Sequence, residues 1–169
     1  MSTVAREVGT NGHAVAAAPI TVLLVEDHRV LAESFAAVLK QDPGLALVGI
    51  AGTSASAVAL VDRLKPDVVV MDIRLPDGSG IEAATAIKAN RKDTGIIFLT
   101  AYDNDETLWM AMGAGAAAFL PKSEAPDAVV EAIKRVAAGE MMLEPGKIQD
   151  AIAWHGARRR YEADRAAML

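Results

Sequence analysis

Polar side chains that could carry out phosphoryl chemistry follow four of five short apolar runs in the sequence. They are Glu26, Asp27, Asp72, Thr100 and Lys122. Three carboxylates in one pocket would repel one another, and a divalent cation such as Mg²⁺, which prefers oxygen ligands, would offset that repulsion. The set therefore predicts a Mg²⁺ site with Asp72 as nucleophile, because a carboxylate can form an aspartyl phosphate. Thr100 and Lys122 would hold the phosphoryl oxygens.

Each of these residues also has an ordinary structural explanation when it is taken singly. An aspartate after a strand is commonly a helix cap or a turn residue, and a single lysine is usually solvated. The functional interpretation depends on all of them lying at one edge of one sheet.

The elements that must position these residues can be predicted from the apolar pattern. Five apolar runs are continuous, as is typical of strands buried on both faces of a parallel sheet. They cover residues 20–25, 45–51, 67–71, 95–99 and 116–120. The segments between them have helical spacing, so we expect an α/β fold with helices on both faces and right-handed crossovers. In addition, "SGIE" at 79–82 predicts a capping box that begins a helix ending near Arg91.

The composition and net charge of the chain argue against several classes of function. A chain of 169 residues with a net charge of -5 is long enough for one ordinary core, and its acidity argues against nucleic-acid binding through general electrostatics. Without cysteine, the chain can form no disulfide or thiolate metal site. Its apolar runs are too short to span a membrane. We expect a cytoplasmic protein without membrane partners, with a loose tail over 1–19 that lacks the layout of a signal peptide.

The chain resembles the response-regulator receiver domain of two-component systems. Four motifs carry the resemblance: "VEDH" at 25–28, "MDIRLPDGSG" at 71–80, "LTAYD" at 99–103 and "GAAAFLPK" at 115–122. The match covers about 20–140, which we take as the receiver domain. The resemblance implies a flavodoxin-like, doubly wound sheet of five parallel strands in the order 2-1-3-4-5.

The resemblance also implies a role for each residue of the acidic pocket. Asp72 is similar to the phosphoacceptor, and Asp27 to a direct Mg²⁺ ligand. Glu26 would assist the ion through water. The backbone carbonyl of Arg74, two residues after the acceptor, is similar to the third protein ligand of the family.

A switch is implied by the same resemblance. Thr100 and Lys122 match the pair that binds the phosphoryl group, and Phe119 matches the switch aromatic. Phosphorylation of Asp72 should draw the Thr100 hydroxyl toward the added oxygens, and Phe119 could then turn into the vacated space. The alternative is that Phe119 is a plain core aromatic.

The region beyond the receiver domain, 141–169, is predicted to be a linker and a C-terminal helix. "VVEAIKRVAAGEMMLEP" at 129–145 resembles the end of receivers in the NarL/FixJ (LuxR-type) branch, where a linker leads to a helix-turn-helix. In the final helix, Trp154, Tyr161 and Met168 are spaced by seven and could form a short dimer seam. Docking of this helix on its own receiver is the alternative.

We therefore expect a signalling switch that accepts a phosphoryl group on Asp72 from a sensor histidine kinase. Beyond that, it would catalyse only its own phosphotransfer and autodephosphorylation. DNA would be bound only through a C-terminal domain absent from this chain, and a homodimer is a further expectation. One alternative is a stand-alone receiver that acts by protein contact or phosphorelay. Another is a Mg²⁺-dependent phosphohydrolase, although Arg74 stands where that class has its second acid.

Overall fold

The computed structural model describes residues 17–101, 104–124 and 126–169, so most of the predicted N-terminal tail lies outside the described residues. Strands and helices alternate along the chain. The strands are β1 (Ile20–Val25), β2 (Leu45–Ala51), β3 (Val68–Asp72), β4 (Arg74–Leu75), β5 (Gly78–Ser79), β6 (Gly95–Thr100) and β7 (Ala118–Pro121). The helices are α1 (Arg29–Gln41), α2 (Ser54–Leu64), α3 (Gly80–Asn90), α4 (Asp105–Gly113), α5 (Pro126–Ala137) and α6 (Pro145–Ala167).

Five of the strands form one parallel sheet in the order β2-β1-β3-β6-β7. Strands β4 and β5 pair only with each other, as a short antiparallel hairpin inserted between β3 and α3. Counting the five sheet strands alone, the order is 2-1-3-4-5, which confirms the prediction. All five therefore end at the same edge of the sheet, and the point where strand order reverses lies beside β1 and β3.

The sheet separates two hydrophobic layers. On one side, α2, α3 and α4 cover alternate strand residues that include Leu23, Met71 and Phe98. On the other side, α1 and α5 cover the intervening residues, such as Leu24 and Val70. Because both faces are buried, the strand sequences are apolar throughout instead of alternating with polar residues.

The C-terminal helix is present and docks on the receiver through its first half. Ala151 is fully buried against the layer that contains α4. The His155 ring stacks on Trp109 of α4, with 4.1 Å between ring centroids. By contrast, Tyr161 and Met168 are 63% and 86% exposed. Self-docking, one of the two alternatives, therefore describes the first half of the helix, while two of the three residues spaced by seven, Tyr161 and Met168, are exposed.

Local details differ from the sequence-based expectations at several element ends. Strand β3 extends one residue further than predicted, to Asp72, and β7 begins two residues later. Ser79 caps α3 by accepting a hydrogen bond from the Ile81 N–H (3.1 Å), without a reciprocal bond from Glu82. The reciprocal capping box is instead at Thr53 and Ser56, where α2 begins. None of the helices in the described part of the chain is both long enough and apolar enough to cross a membrane.

Candidate functional site

Charged side chains from three strand ends meet at the carboxyl edge of the sheet. Glu26 follows β1, Asp72 ends β3 and Lys122 follows β7. The Lys122 Nζ lies 2.6 Å from Asp72 Oδ2 and 3.1 Å from Glu26 Oε2. The Lys122 backbone N–H also donates to the Thr100 carbonyl (2.7 Å), so the backbone of Lys122 is held against the neighbouring strand β6. One ammonium group thus joins carboxylates that are 46 positions apart in the sequence.

The charged groups of this site are largely buried, so they interact strongly with one another. Glu26 and Asp72 are 4% and 5% exposed, whereas the Lys122 side chain is 23% exposed. Burial, and then the negative charge of Asp72, raise the pKa of the Glu26 carboxyl above its ordinary value, and Lys122 only partly offsets them. Burial by itself would lower the pKa of Lys122, but bonds to Asp72 and Glu26 outweigh burial and raise that pKa. Lys122 is therefore a firmly charged ammonium beside two carboxylates.

A third carboxylate leaves the site with excess negative charge. Oxygen atoms of Glu26, Asp27 and Asp72 lie within 4.8 Å of one another, and Asp27 is exposed. The Arg74 N–H donates to Asp72 Oδ1 (3.2 Å), so the backbone two residues after Asp72 is also beside the cluster. The site has three carboxylates and one ammonium group, and oxygen ligands with excess negative charge suit a hard divalent cation such as Mg²⁺. These residues could therefore hold a metal ion.

A cavity of about 170 Å³ opens next to the acidic cluster. It is lined by Asp72, Ile73, Arg74, Thr100, Ala101, Asn104, Thr107 and Lys122. Thr100 is 3% exposed, so it faces this cavity from a buried strand end. Asp72, Thr100 and Lys122, which the sequence assigned to phosphoryl chemistry, thus share one cavity. Asn104 and Thr107 were not assigned to this cavity from the sequence; Asn104 caps α4, since its Oδ1 accepts from the Thr107 N–H (2.8 Å).

The loop that follows Asp72 is held by backbone bonds and by one obligatory glycine. In the β4–β5 hairpin, Arg74 pairs with Ser79. The Gly80 N–H donates to the Ile73 carbonyl (2.7 Å), and a Cβ on Gly80 would lie 2.1 Å from the Asp72 carbonyl oxygen. Only glycine allows α3 to begin so close to the strand end. Sequence reasoning missed this requirement, although glycine directly after the Ser79 cap was a usable signal.

Comparison with known proteins accounts for this arrangement. The model of the response regulator receiver domain family matches residues 22–134. The chain belongs to this family. It is a receiver domain of a two-component response regulator, and so a signalling switch.

Two relatives are transcription regulators by name. The chain is similar to the DNA-binding transcriptional activator DevR/DosR of Mycobacterium tuberculosis (strain ATCC 25618 / H37Rv), with 38% identity over 74% of this chain and 58% of the relative. It is similar to the transcriptional regulatory protein YxjL of Bacillus subtilis (strain 168), with 36% identity over 73% of this chain and 57% of that protein. The chain thus spans less than two thirds of these relatives.

Among solved structures, the receiver is similar to a LuxR-family two-component response regulator from Aurantimonas sp. SI85-9A1. The TM-score is 0.73, with 30% identity over 82% of this chain and 99% of that one. The predictions of family, of fold and of membership in a branch with LuxR-family relatives are therefore confirmed.

Phe119 of the receiver does not line the cavity beside the acidic cluster. It is 8% exposed on β7, pairs in register with Phe98, and packs in the layer beneath α4. Together with Leu108 and Leu143 it also lines a second cavity of about 500 Å³ on the side of β7 that faces the segment before α6. Phe119 is therefore a buried aromatic with open volume next to it, and the choice between switch and core residue stays a prediction.

Proposed function

We propose that this receiver accepts a phosphoryl group on Asp72 from a sensor histidine kinase and holds it as an aspartyl phosphate. The observation that supports the proposal is the Lys122 ammonium, 2.6 Å from Asp72 Oδ2, at the mouth of a cavity that Thr100 also lines. An ammonium and a hydroxyl beside a carboxylate are the groups that a transferred phosphoryl group requires for charge neutralisation and orientation.

The transfer can be written as one substitution at phosphorus. An Asp72 carboxylate oxygen forms a bond to phosphorus while the bond between phosphorus and the kinase histidine nitrogen breaks. The imidazole keeps the electron pair of the broken bond. Lys122 then pairs with phosphoryl oxygens through a charge-assisted hydrogen bond, and the Thr100 hydroxyl donates to another of them.

Mg²⁺ fits the donor set of this site. Asp27, Asp72 and the backbone carbonyl of Arg74 would hold the ion, and Glu26 would assist through water. When bound, the ion neutralises negative charge on the phosphoryl oxygens. Burial and then repulsion from Asp72 raise the pKa of Glu26, and a cation held here would offset the repulsion.

The switch would connect this site with the layer beneath α4. Movement of Thr100 toward the phosphoryl group would leave space into which the buried Phe119 can turn. The cavity of about 500 Å³ that Phe119 borders is not lined by Thr100, so the space for this turn would have to come from the movement of Thr100 itself. Shifting such a two-state equilibrium from mostly off to mostly on requires about 5.5 kcal/mol of differential stabilisation.

Incubation with a small acyl phosphate and Mg²⁺, followed by intact-protein mass spectrometry, tests the acceptor. Wild-type protein should gain one phosphoryl group, and Asp72→Asn should gain none, because the amide cannot form the acyl phosphate. Asp62→Asn makes the same change at an exposed position on α2 and should be labelled like wild type. Labelling of Asp72→Asn at the wild-type level would overturn the proposal.

For the whole protein, we propose that phosphorylation controls DNA binding through a C-terminal domain, as the names of the DevR/DosR and YxjL relatives suggest. A stand-alone receiver and a phosphohydrolase are the alternatives. A time course of labelling and phosphate release distinguishes a receiver from a phosphohydrolase. A receiver retains close to one phosphoryl group per chain, whereas a phosphohydrolase releases many phosphate ions per chain. Autodephosphorylation, a homodimer and a cytoplasmic location stay predictions.

A further inference from the structure

Asp77, at the tip of the β4–β5 hairpin, joins the loop after the phosphoacceptor to a different helix. Its carboxylate accepts hydrogen bonds from the backbone N–H groups of Ser54 (2.7 Å) and Ala55 (3.0 Å), the first two residues of α2. These backbone bonds lower the pKa of Asp77 although the side chain is exposed. The bonded groups are more than twenty positions apart in the sequence, so the bonds are a tertiary tie.

Helix α2 also has a local cap of its own. Thr53 already caps the helix, because its side chain accepts from the Ser56 N–H (3.0 Å) while Ser56 Oγ accepts from the Thr53 N–H (3.2 Å). The capping box satisfies two of the donors at the helix start, the N–H groups of Thr53 and Ser56, and Asp77 accepts from two others, those of Ser54 and Ala55. The Asp77 bonds therefore attach the hairpin to a helix end that is already capped locally, so they hold the hairpin as well as the helix.

The hairpin connects Asp77 to the acceptor in a few rigid steps. Strand β4 begins at Arg74, whose N–H holds Asp72 Oδ1 (3.2 Å). The other end of the hairpin is fixed where the Gly80 N–H binds the Ile73 carbonyl (2.7 Å). Between these two points the hairpin is only two paired residues wide on each strand. Its orientation therefore depends on what its tip is attached to, and Asp77 supplies that attachment.

We infer that Asp77 is a positioning residue for the metal and phosphoryl site: by tying the hairpin to α2, it fixes the Arg74 backbone and, through it, the Asp72 carboxylate. This inference rests on the proposed function, in which the Arg74 carbonyl is a Mg²⁺ ligand. Residues that orient metal ligands without touching the ion commonly change metal affinity by about 10–100-fold when they are replaced.

The test is the Mg²⁺ affinity of Asp77→Ala, measured directly by isothermal titration calorimetry and, separately, as the Mg²⁺ concentration that half-saturates labelling by a small acyl phosphate. We expect the dissociation constant and the half-saturating concentration to rise about 10-fold. Labelling at saturating Mg²⁺ should stay close to wild type, because no group that touches the phosphoryl has changed. A general loss of folding would instead lower labelling at every Mg²⁺ concentration.

Three further variants separate positioning from a loss of charge or stability. Asp77→Asn keeps one oxygen, which can accept one of the two N–H bonds, while its NH2 group cannot accept the other, so it should restore only part of the affinity. Ser54→Pro removes one of the donors at the first helical position, where proline is tolerated, and should weaken Mg²⁺ binding in the same direction. Asp62→Ala removes an exposed acid elsewhere on α2 and should bind Mg²⁺ like wild type.

The outcomes distinguish this inference from the proposed function. If wild type is labelled while Asp77→Ala and Ser54→Pro bind Mg²⁺ as wild type does, the positioning role is wrong and the acceptor site stands. If wild type neither binds Mg²⁺ nor takes up label, the proposed function fails and the positioning role fails with it. Equal weakening in Asp62→Ala and Asp77→Ala would also contradict the positioning role, because loss of an exposed negative charge would then be the cause.

Discussion

Burial of the Glu26 carboxyl should make the free energy of unfolding depend on pH. Its pKa is raised in the folded protein, first by burial and then by repulsion from Asp72. The folded state thus binds this proton more tightly than the unfolded chain. The contribution of Glu26 to stability is fully present below its ordinary value of 4.5 and is lost as the pH rises through the raised value.

Glu26→Gln should therefore stabilise the metal-free protein at neutral pH, by about 1 kcal/mol in the free energy of unfolding. Lys122 keeps Asp72 as its partner in this variant, so no cation is left unpaired. Urea unfolding in the presence of a chelator, at pH 4 and at pH 7.5, measures the effect, and the difference from wild type should shrink at pH 4. Glu33→Gln, on an exposed face of α1, is the control and should change stability little. Destabilisation of Glu26→Gln at neutral pH would contradict the burial argument.

At the scale of elements, the start of α3 depends on close contact between backbones. Gly80→Ala would place a Cβ 2.1 Å from the Asp72 carbonyl oxygen, so either the strand end or the helix must shift. We expect a loss of about 1–3 kcal/mol in the free energy of unfolding, typical of overpacking, together with slower acyl-phosphate labelling. Gly146→Ala is a matched control, since nothing lies within 4 Å of its added Cβ and alanine favours the helix. Equal stability of the two variants would show that the contact relaxes freely.

The docking of α6 on α4 is a second feature at this scale. Ala151 is fully buried among residues of the layer that contains α4. Ala151→Asp would therefore place a charge in an apolar contact. We expect α6 to detach, which would separate His155 from Trp109 and change tryptophan fluorescence and the rate of proteolysis within α6. Ala153→Asp introduces the same charge on the exposed face of α6 and should leave both signals unchanged. Retained fluorescence and protection in Ala151→Asp would show that the contact does not hold the helix.

At the scale of the whole molecule, the sheet and the meeting of the acidic residues could be predicted because both follow from strand periodicity. Continuous apolar runs fixed the strands, and parallel strands bring Asp72, Thr100 and Lys122 to one edge whatever their separation in sequence. The strand order itself came from the resemblance to receivers, since periodicity does not state which strands are neighbours.

What the sequence did not reveal depends on contacts between distant segments. The bonds from Asp77 to α2 join residues that no helical or strand period relates. The β4–β5 hairpin is too short to produce an alternating pattern, and the 2.1 Å approach at Gly80 exists only once the loop is folded. For α6, the seven-residue spacing left a seam and self-docking both open, and the residues that dock are Ala151 and His155, spaced by four.

The stability of the whole chain should be linked to Mg²⁺ through the acidic cluster. A ligand that binds only the folded state adds about 2.7 kcal/mol at one hundred times its dissociation constant, which corresponds to a rise in Tm of about 5–10 °C for a chain of this size. Asp27→Asn should lose most of that rise, because it removes one of three clustered carboxylates. Asp164→Asn, an exposed change on α6, should keep it.

The same rise in Tm should diminish at acid pH. As the pH falls through the raised pKa of Glu26, the folded protein takes up a proton there, and the cluster loses a negative charge that would attract the cation. Scanning calorimetry with and without Mg²⁺ at several pH values measures this competition. In Glu26→Gln the Mg²⁺-dependent rise should be smaller at neutral pH and should vary less between pH 5 and pH 7.5. A Mg²⁺-dependent rise that is identical in wild type and Glu26→Gln at every pH would show that Glu26 has no part in holding the ion, directly or through water.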